Sequence, residues 1–457
     1  MSLGSRFYRQ KGRVTMDENE LMGSMKVSKA VAKMAIPSVI SSLVTVVYNM
    51  ADTFFVGQTG DPLQVAAVSL TNPIFILFMA FANMFGMGGS AAASMALGEK
   101  KEKGVKQVSS FITYASLIVG IVFAAILLVG MQPVLQLFGA DADTYELAKG
   151  YTTYISYGAP FIIWSATASF VVRADGASRE AMTGSMIGTV ANIILDPIFI
   201  SGFGMGAAGA AIATTIGNIM ASVYYLWYFC RKSRNMSMAF RYFKCGDRIL
   251  SQVCSAGLPT AIFSALMSIS TIILNQILVA YGNAPVAAIG IVFKANMFIT
   301  FLQMGLANGV QPLLGYSYGA GNRERFITVE RYTKKCCLIV GVLATALFFF
   351  FREPIIRLFI SDTEVINYGV EMLIAYMISG PVIGILFMNM NCMQSTGNAL
   401  PATILSILRQ GVLLIPVLYG LNALLGLHGV IYGQALTDYV AVLLSIVIWR
   451  WKRRKTL

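Results

Sequence analysis

Long apolar stretches, separated by short polar or glycine- and proline-containing segments, dominate the chain. A helix needs about 20 apolar residues to cross the hydrocarbon core of a bilayer, whereas strands of an outer-membrane barrel alternate apolar and polar positions over about ten. The continuous runs therefore predict an all-α integral membrane protein. Twelve spans are predicted, at residues 34–57, 63–90, 107–130, 149–172, 180–202, 207–230, 250–281, 285–313, 335–351, 366–393, 401–424 and 429–450.

Composition agrees with this pattern, because the 457 residues are 56% hydrophobic and only 12% charged. With a mean hydropathy of +0.69, a soluble globular domain is excluded. The net charge of +13 comes from basic clusters that all fall on one side of the predicted spans. By the positive-inside rule that side is the cytoplasm, so both termini are expected there and nucleic acid is not an expected partner. The N-terminus lacks the apolar core of a signal peptide, so we expect it to be uncleaved.

The two halves of the sequence repeat each other. The segment around Pro37 matches that around Pro259, Val65 matches Val286, and Gly176 matches Gly397, at a nearly constant offset. Six helices per copy make both copies enter from the same side, which predicts two pseudo-symmetric six-helix lobes around a central cavity. We divide the chain into a cytoplasmic N-terminal segment (1–33), an N-lobe (34–230), a basic linker (231–249), a C-lobe (250–450) and a basic tail (451–457).

Few ionisable residues lie inside the predicted spans. An ionised side chain there costs roughly 2.5–3.5 kcal/mol on insertion scales, so it normally faces a cavity, a partner or an ion. The first half contributes two acids and no deep base, while the second half has acids and bases in equal number. The residues are Asp52, Asp196, Glu371, Asp438, Lys294 and Arg409.

The two acids of the first half are predicted to share one layer. Helix geometry places Asp52 and Asp196 roughly 7–11 Å from the outer ends of their spans. Oxygen atoms in such a layer are suitable ligands for Na⁺, and two neighbouring acids can equally share a proton. The alternative is that these groups only hydrogen-bond neighbouring helices. Other polar groups on neighbouring turns are Tyr48, Asn192, Thr214 and the carbonyl of Ala210.

The charged residues of the second half allow two interpretations. Lys294, Arg409 and Asp438 form either neutralised pairs that hold helices together or a charge network that contacts substrate. Glu371 lies near an outer end, where we expect it to be solvated. We find no phosphate-binding, nucleophile-elbow or zinc-protease motif, and His428 is the single histidine, so neither an enzyme nor a cofactor other than a transported ion is expected.

Several motifs, in order, resemble the multidrug and toxic compound extrusion (MATE) family, over essentially the region 29–451. They are Tyr48-Asn49-Met50-Ala51-Asp52, Arg173-Ala174-Asp175-Gly176, Asn192 to Pro197, Gly209 to Thr214, Gly309-Val310-Gln311-Pro312, Gly315 to Ala320, and Arg409-Gln410 before Pro416. The resemblance implies an antiporter of the plasma (inner) membrane that exports amphipathic, often cationic compounds in exchange for Na⁺ or H⁺. In prokaryotic members, positions matching Asp52, Asn192, Asp196 and Thr214 form the cation site, with a carbonyl at the position of Ala210 and the tyrosine matching Tyr48 nearby.

One departure from the family pattern affects the coupling site. Some branches place a coupling acid on the seventh helix, and residues 251–281 contain none. We therefore place coupling in the first lobe, within a lipid-embedded monomer. The alternatives are a lipid-linked glycan flippase of the same broad superfamily, which Lys294 and Arg409 favour, and a non-transporting membrane scaffold.

Overall fold

The computed structural model describes residues 20–233, 235–244 and 246–456, which are mostly helical. The expectations for the first 19 residues of the N-terminal segment, and for linker positions 234 and 245, lie outside the described residues. The helices are α1 Val27–Gly57, α2 Pro62–Gly98, α3 Glu102–Val129, α4 Met131–Leu137, α5 Tyr145–Ala174, α6 Ser178–Pro197, α7 Gly206–Arg231, α8 Asp247–Val279, α9 Asn283–Gly319, α10 Arg323–Phe350, α11 Arg352–Arg357, α12 Thr363–Ile378, α13 Gly380–Ser395, α14 Ala399–Ile407, α15 Leu414–Leu425 and α16 Leu427–Thr456.

The twelve predicted spans correspond to these helices. Among the described residues, eleven helical segments are long and apolar enough to cross a membrane, and the pair α12 and α13, bent by 45°, supplies the twelfth. Two spans contain a π-helical turn, Ile198–Gly202 after α6 and Leu408–Leu413 between α14 and α15. The twelve-helix prediction is confirmed.

Several helices extend beyond their predicted spans on one side. α2 ends at Gly98 instead of residue 90, α9 ends at Gly319 instead of 313, and α10 begins at Arg323 instead of 335. The extra turns of α10, residues 323–334, are charged, so a hydropathy criterion does not detect them. The extra turns of α2 and α9 carry no charge and show that these helices continue past the predicted spans. We call this side, which contains residues 100–106, 323–335 and 450–455, the basic end, and the other side the opposite end.

The backbone repeats along with the sequence. After α2, Lys100 adopts a left-handed conformation with φ of 58°, and Gly321 at the equivalent turn after α9 has φ of 69°. The turns after α5 and α13 likewise contain Gly176 with φ of 87° and Gly397 with φ of 72°. Equivalent left-handed residues at equivalent helix ends are what two copies of one six-helix unit produce.

The two lobes meet through backbone contacts near the basic end. A β-carbon at Gly88 on α2 would lie well under 3.0 Å from the Val253 carbonyl of α8, and one at Gly257 on α8 equally close to the Met84 carbonyl of α2. Only glycine permits this separation. The lobes are therefore sealed against each other here.

The start of the chain reinforces the seal. The side chains of Met22, Met34 and Ala35 pack in one apolar cluster with C-lobe residues that include Phe326. Arg325 on α10 donates hydrogen bonds to the carbonyls of Leu21, Met22 and Met25, at 2.8–3.1 Å. The basic-end half of α1 thus packs on the C-lobe, although its sequence precedes the N-lobe.

Replacing Gly257 by alanine is expected to open the seal. The added methyl group meets a backbone oxygen that no rotamer change can move, and such overpacking costs roughly 1–3 kcal/mol, enough to shift a two-state equilibrium about 5- to 150-fold. Pulsed electron paramagnetic resonance between spin labels at the basic ends of α2 and α8 should show a longer mean distance. Gly290→Ala, at a position with open space around it, is the matched control. Equal distance distributions in both variants would contradict the seal.

Candidate functional site

Asp196 is the most deeply buried of the predicted site residues. It is the penultimate residue of α6, just before Pro197, and its side chain is fully buried. Its Oδ1 has no hydrogen-bond partner among the described residues. A buried carboxylate oxygen without a donor is costly, so this oxygen is available for a proton or a cation.

Thr214 on α7 connects the elements of the site. Its hydroxyl lies 3.3 Å from the hydroxyl of Tyr48 on α1. The amide of Asn192 is best satisfied when its Nδ2 donates to Asp196 Oδ2 at 3.0 Å and its Oδ1 accepts from the N–H and hydroxyl of Thr214, at 2.9 and 3.1 Å. Three spans thus meet at one polar cluster, which we call the N-lobe site.

Ala210 lies one turn before Thr214 and is buried against Val56 and Ile200. Its carbonyl is the regular helical acceptor for the Thr214 N–H, for which Asn192 competes. Pro197 adds a second irregularity, since it has no N–H to offer the carbonyl four residues earlier, and a π-helical turn follows it. The Ile193 carbonyl near the site therefore lacks its regular helical donor.

Asp52 lies one turn after Tyr48 on α1 and is half-buried. Its carboxyl group lies close enough to Asp196, Tyr48 and Tyr151 for a charge on Asp52 to affect the ionisation of each of them. The structure therefore brings all six predicted residues of the first half into one region, with the two carboxylates close enough to repel each other.

Sequence reasoning missed Tyr151. It lies on α5, six residues from the start of the helix, and packs against the cluster of Val56, Ile200 and Ala210. The same depth estimate that located Asp52 and Asp196 places Tyr151 about 9 Å from the opposite end. A polar residue at that depth was the available signal.

The predicted charge network of the second half divides into two parts. Arg409, in the π-helical turn, donates to Asp438 of α16 at 2.8 Å, and Gln434 donates to the same oxygen at 3.0 Å. The guanidinium also stacks over Phe263 and Phe387. Lys294 makes no ion pair or hydrogen bond with any residue that the structure describes.

Four further charged residues make contacts that the sequence analysis does not predict. Glu371 contacts the imidazole of His428 at 2.6 Å and is not simply solvated. Arg173 is a buried base in the first half, where it donates to Ser38 and Ser169.

Asp175, in the turn after α5, accepts from three donors, while burial raises the pKa of its carboxyl above the usual value. Glu330 is buried, with Trp449, Lys334 and Arg453 around it.

A cleft of about 700 Å³ lies between the lobes toward the opposite end. One wall is the second half of α1, including Met50, Ala51 and Phe54, and the facing wall contains Lys294 and Phe359. On the basic-end side of this cleft, the contact between Gly88 and Gly257 and their partners closes the space between the lobes. A small amphipathic molecule has room in such a space.

Comparison with known proteins identifies the family. The sequence profile of the MatE family matches the chain twice, at residues 37–198 and 259–419. The multidrug export protein MepA of Staphylococcus saprophyticus is 32% identical over 422 residues, which cover 92% of this chain and 93% of MepA. A crystal structure of a MATE protein in the straight conformation is 26% identical, with a TM-score of 0.90 over 95% of this chain and 97% of that one. An outward-facing multidrug resistance MATE transporter gives 0.87 at 26% identity, over 94% and 96% of the two chains.

Each of the two profile matches covers the first five spans of one six-helix repeat. The double profile match, a relative that matches over nearly its full length and solved structures of the same fold all indicate the same family. The chain is a multi-span membrane protein that belongs to the MATE family of multidrug efflux transporters.

Proposed function

We propose that this protein exports amphipathic, often cationic compounds in exchange for H⁺ or Na⁺, as a monomer in the plasma membrane. The observation that supports this most strongly is that Asp196 Oδ1 has no partner among the described residues. The same carboxylate lies near Asp52 and is linked through Asn192 to the Thr214 hydroxyl. Desolvated acids that interact with one another are suited to bind and release a cation.

The distribution of basic residues sets the direction of the cycle. If the basic end is cytoplasmic, as the positive-inside rule requires, the sealed end faces the cytoplasm and the cleft opens outward. We propose that the cation enters the N-lobe site in this state, that drug leaves the cleft, and that the lobes then rock to the inward-facing state. The cation must bind the two states with different affinity, since otherwise it drives nothing.

The flippase alternative loses part of its support in this structure. It relied on a cationic cavity formed by Lys294 and Arg409, and Asp438 neutralises Arg409. The acidic N-lobe site favours antiport.

Neutralising either acid should uncouple export. Asp196→Asn and Asp52→Asn remove a charged ligand, and a hydrogen bond to a charged group contributes roughly 1.5–3 kcal/mol, so we expect ion-driven ethidium efflux to fall by at least about tenfold. Efflux is measured in proteoliposomes under a pH gradient alone and under a Na⁺ gradient alone. Glu371→Gln, an acid near the opposite end of the C-lobe, is the matched control and should retain efflux. If neither gradient drives efflux in the folded wild type, the antiport proposal is wrong.

Thr214→Val tests which cation is bound. A valine keeps the shape of the side chain but removes an oxygen ligand, so a Na⁺ site should lose roughly tenfold in apparent Na⁺ affinity, whereas a proton held by the carboxylates should be affected much less. Thr215→Val is a control on the neighbouring residue, because the Thr215 hydroxyl donates to the Tyr154 carbonyl outside the site. The Na⁺ concentration that gives half-maximal efflux is the readout, and a similar shift in both variants would assign Thr214 a purely structural role.

A structural role for the Arg409–Asp438 pair predicts a specific pattern of stability. Asp438→Asn leaves a buried guanidinium without its counter-charge and should cost about 3–5 kcal/mol. The double variant Arg409→Met/Asp438→Leu removes both charges and should recover most of that stability in a denaturation assay. A stable double variant that no longer transports ethidium would show instead that the pair contacts substrate.

A further inference from the structure

Lys294 occupies a position where an unpaired charge is expensive. It lies eleven residues from the first residue of α9, which corresponds to about 16 Å along the helix axis. The hydrocarbon core is about 30 Å thick, so this lysine lies far from either end of its span. A base at that depth is tolerated when it faces a water-filled cavity and a partner of opposite charge.

No acid in the described part of the spans forms an ion pair with Lys294. Asp438 is held by Arg409 and Gln434, and Glu371 contacts His428. Asp196 is fully buried, and its Oδ2 accepts a hydrogen bond from Asn192. Asp52 belongs to the N-lobe site, and no ion pair joins it to Lys294 among the described residues. Of the bases described in the spans, Arg409 has Asp438 and Arg173 has two serine hydroxyls, whereas Lys294 has no described hydrogen-bond or ion-pair partner.

The residues around Lys294 indicate the chemistry of a ligand that would bind there. The cleft that it lines is walled by Val47, Met50, Phe54 and Phe359, and its other polar side chain is Gln58. The volume of about 700 Å³ lies within the range of sites for drug-sized ligands. An apolar wall with one ammonium group is complementary to an apolar molecule that carries one anionic group.

We propose that Lys294 is a specificity-determining residue of the cleft, which receives the carboxylate of an amphipathic substrate that carries one. This inference rests on the proposed export function and names the residue that recognises the anionic group of such a substrate. The N-lobe site handles the coupling cation, and Lys294 recognises the anionic group from the other lobe.

A pair of dyes that differ in one group tests the proposal. A rhodamine with a free benzoate carboxylate and the methyl ester of the same dye have the same rings, and the ester lacks the negative charge. Binding is measured by fluorescence anisotropy with purified protein in phosphatidylcholine nanodiscs, and efflux is measured in proteoliposomes. The variants are Lys294→Met, Lys294→Arg and, as a matched control at the exposed basic end, Lys335→Met.

We expect Lys294→Met to weaken binding of the acid dye by about tenfold and to change binding of the ester by less than about twofold. Lys294→Arg should keep the preference for the acid, and Lys335→Met should behave as wild type. Size-exclusion profiles check that each variant is folded.

Other results overturn the inference. Equal weakening of both dyes would make Lys294 structural, and unchanged or absent binding of the acid dye would remove its role. Loss of the acid preference in phosphatidylglycerol nanodiscs, with the preference intact in phosphatidylcholine, would assign the anion to a lipid headgroup. If wild type neither binds nor transports the ester, the export function itself fails, which is distinguishable from failure at Lys294 alone.

Discussion

The membrane imposes one constraint on which the rest of the structure depends, namely that a charge removed from water must find a partner inside the protein. Arg409 obeys it by pairing with Asp438, and Arg173 obeys it by donating to two serine hydroxyls. Asp196, with one oxygen unsatisfied, and Lys294, with no described partner, do not. Both lie where a transported species can complete the pairing, Asp196 in the N-lobe site and Lys294 at the cleft between the lobes.

The two lobes have one fold but different chemistry. With the offset that relates Pro37 to Pro259, Asp52 corresponds to Leu274, which is buried in the C-lobe core. With the offset that relates Gly176 to Gly397, Asp196 corresponds to Val417 and Lys294 corresponds to Pro73. Each lobe therefore carries its ionisable groups where the other has apolar or helix-bending residues. A duplicated unit can separate cation coupling from substrate recognition in this way without changing its helix packing.

The sequence predicted those features that follow from depth and hydrophobicity. The spans could be read from apolar runs, and the layer of Asp52, Asp196 and Thr214 followed from counting residues along helices. Tyr151 was missed because one tyrosine among 20 does not stand out without knowledge of which helices adjoin. Glu330 was missed for the opposite reason, since it lies in a basic, polar stretch that resembles a solvated loop, whereas in the structure α10 and α16 bury it. Contacts between distant helices are not encoded in local periodicity, so neither residue could be placed by it.

α1 is the element that can transmit a change at the N-lobe site to the seal between the lobes. Toward the opposite end, Tyr48 and Asp52 connect it to the N-lobe site. Toward the basic end, Ala35 and Ser38 pack directly against Gly309 of the C-lobe, and the N-lobe residue Arg173 donates to Ser38 at that junction. Pro37 lies between these regions and removes a helical hydrogen bond there, so the two halves of α1 can tilt relative to each other at low cost. In the proposed cycle, a cation bound at Asp52 and Asp196 cancels the repulsion between the two carboxylates. It thereby changes the force on one half of a helix whose other half forms the inter-lobe contact, and such a link is what a differential affinity for the two states requires.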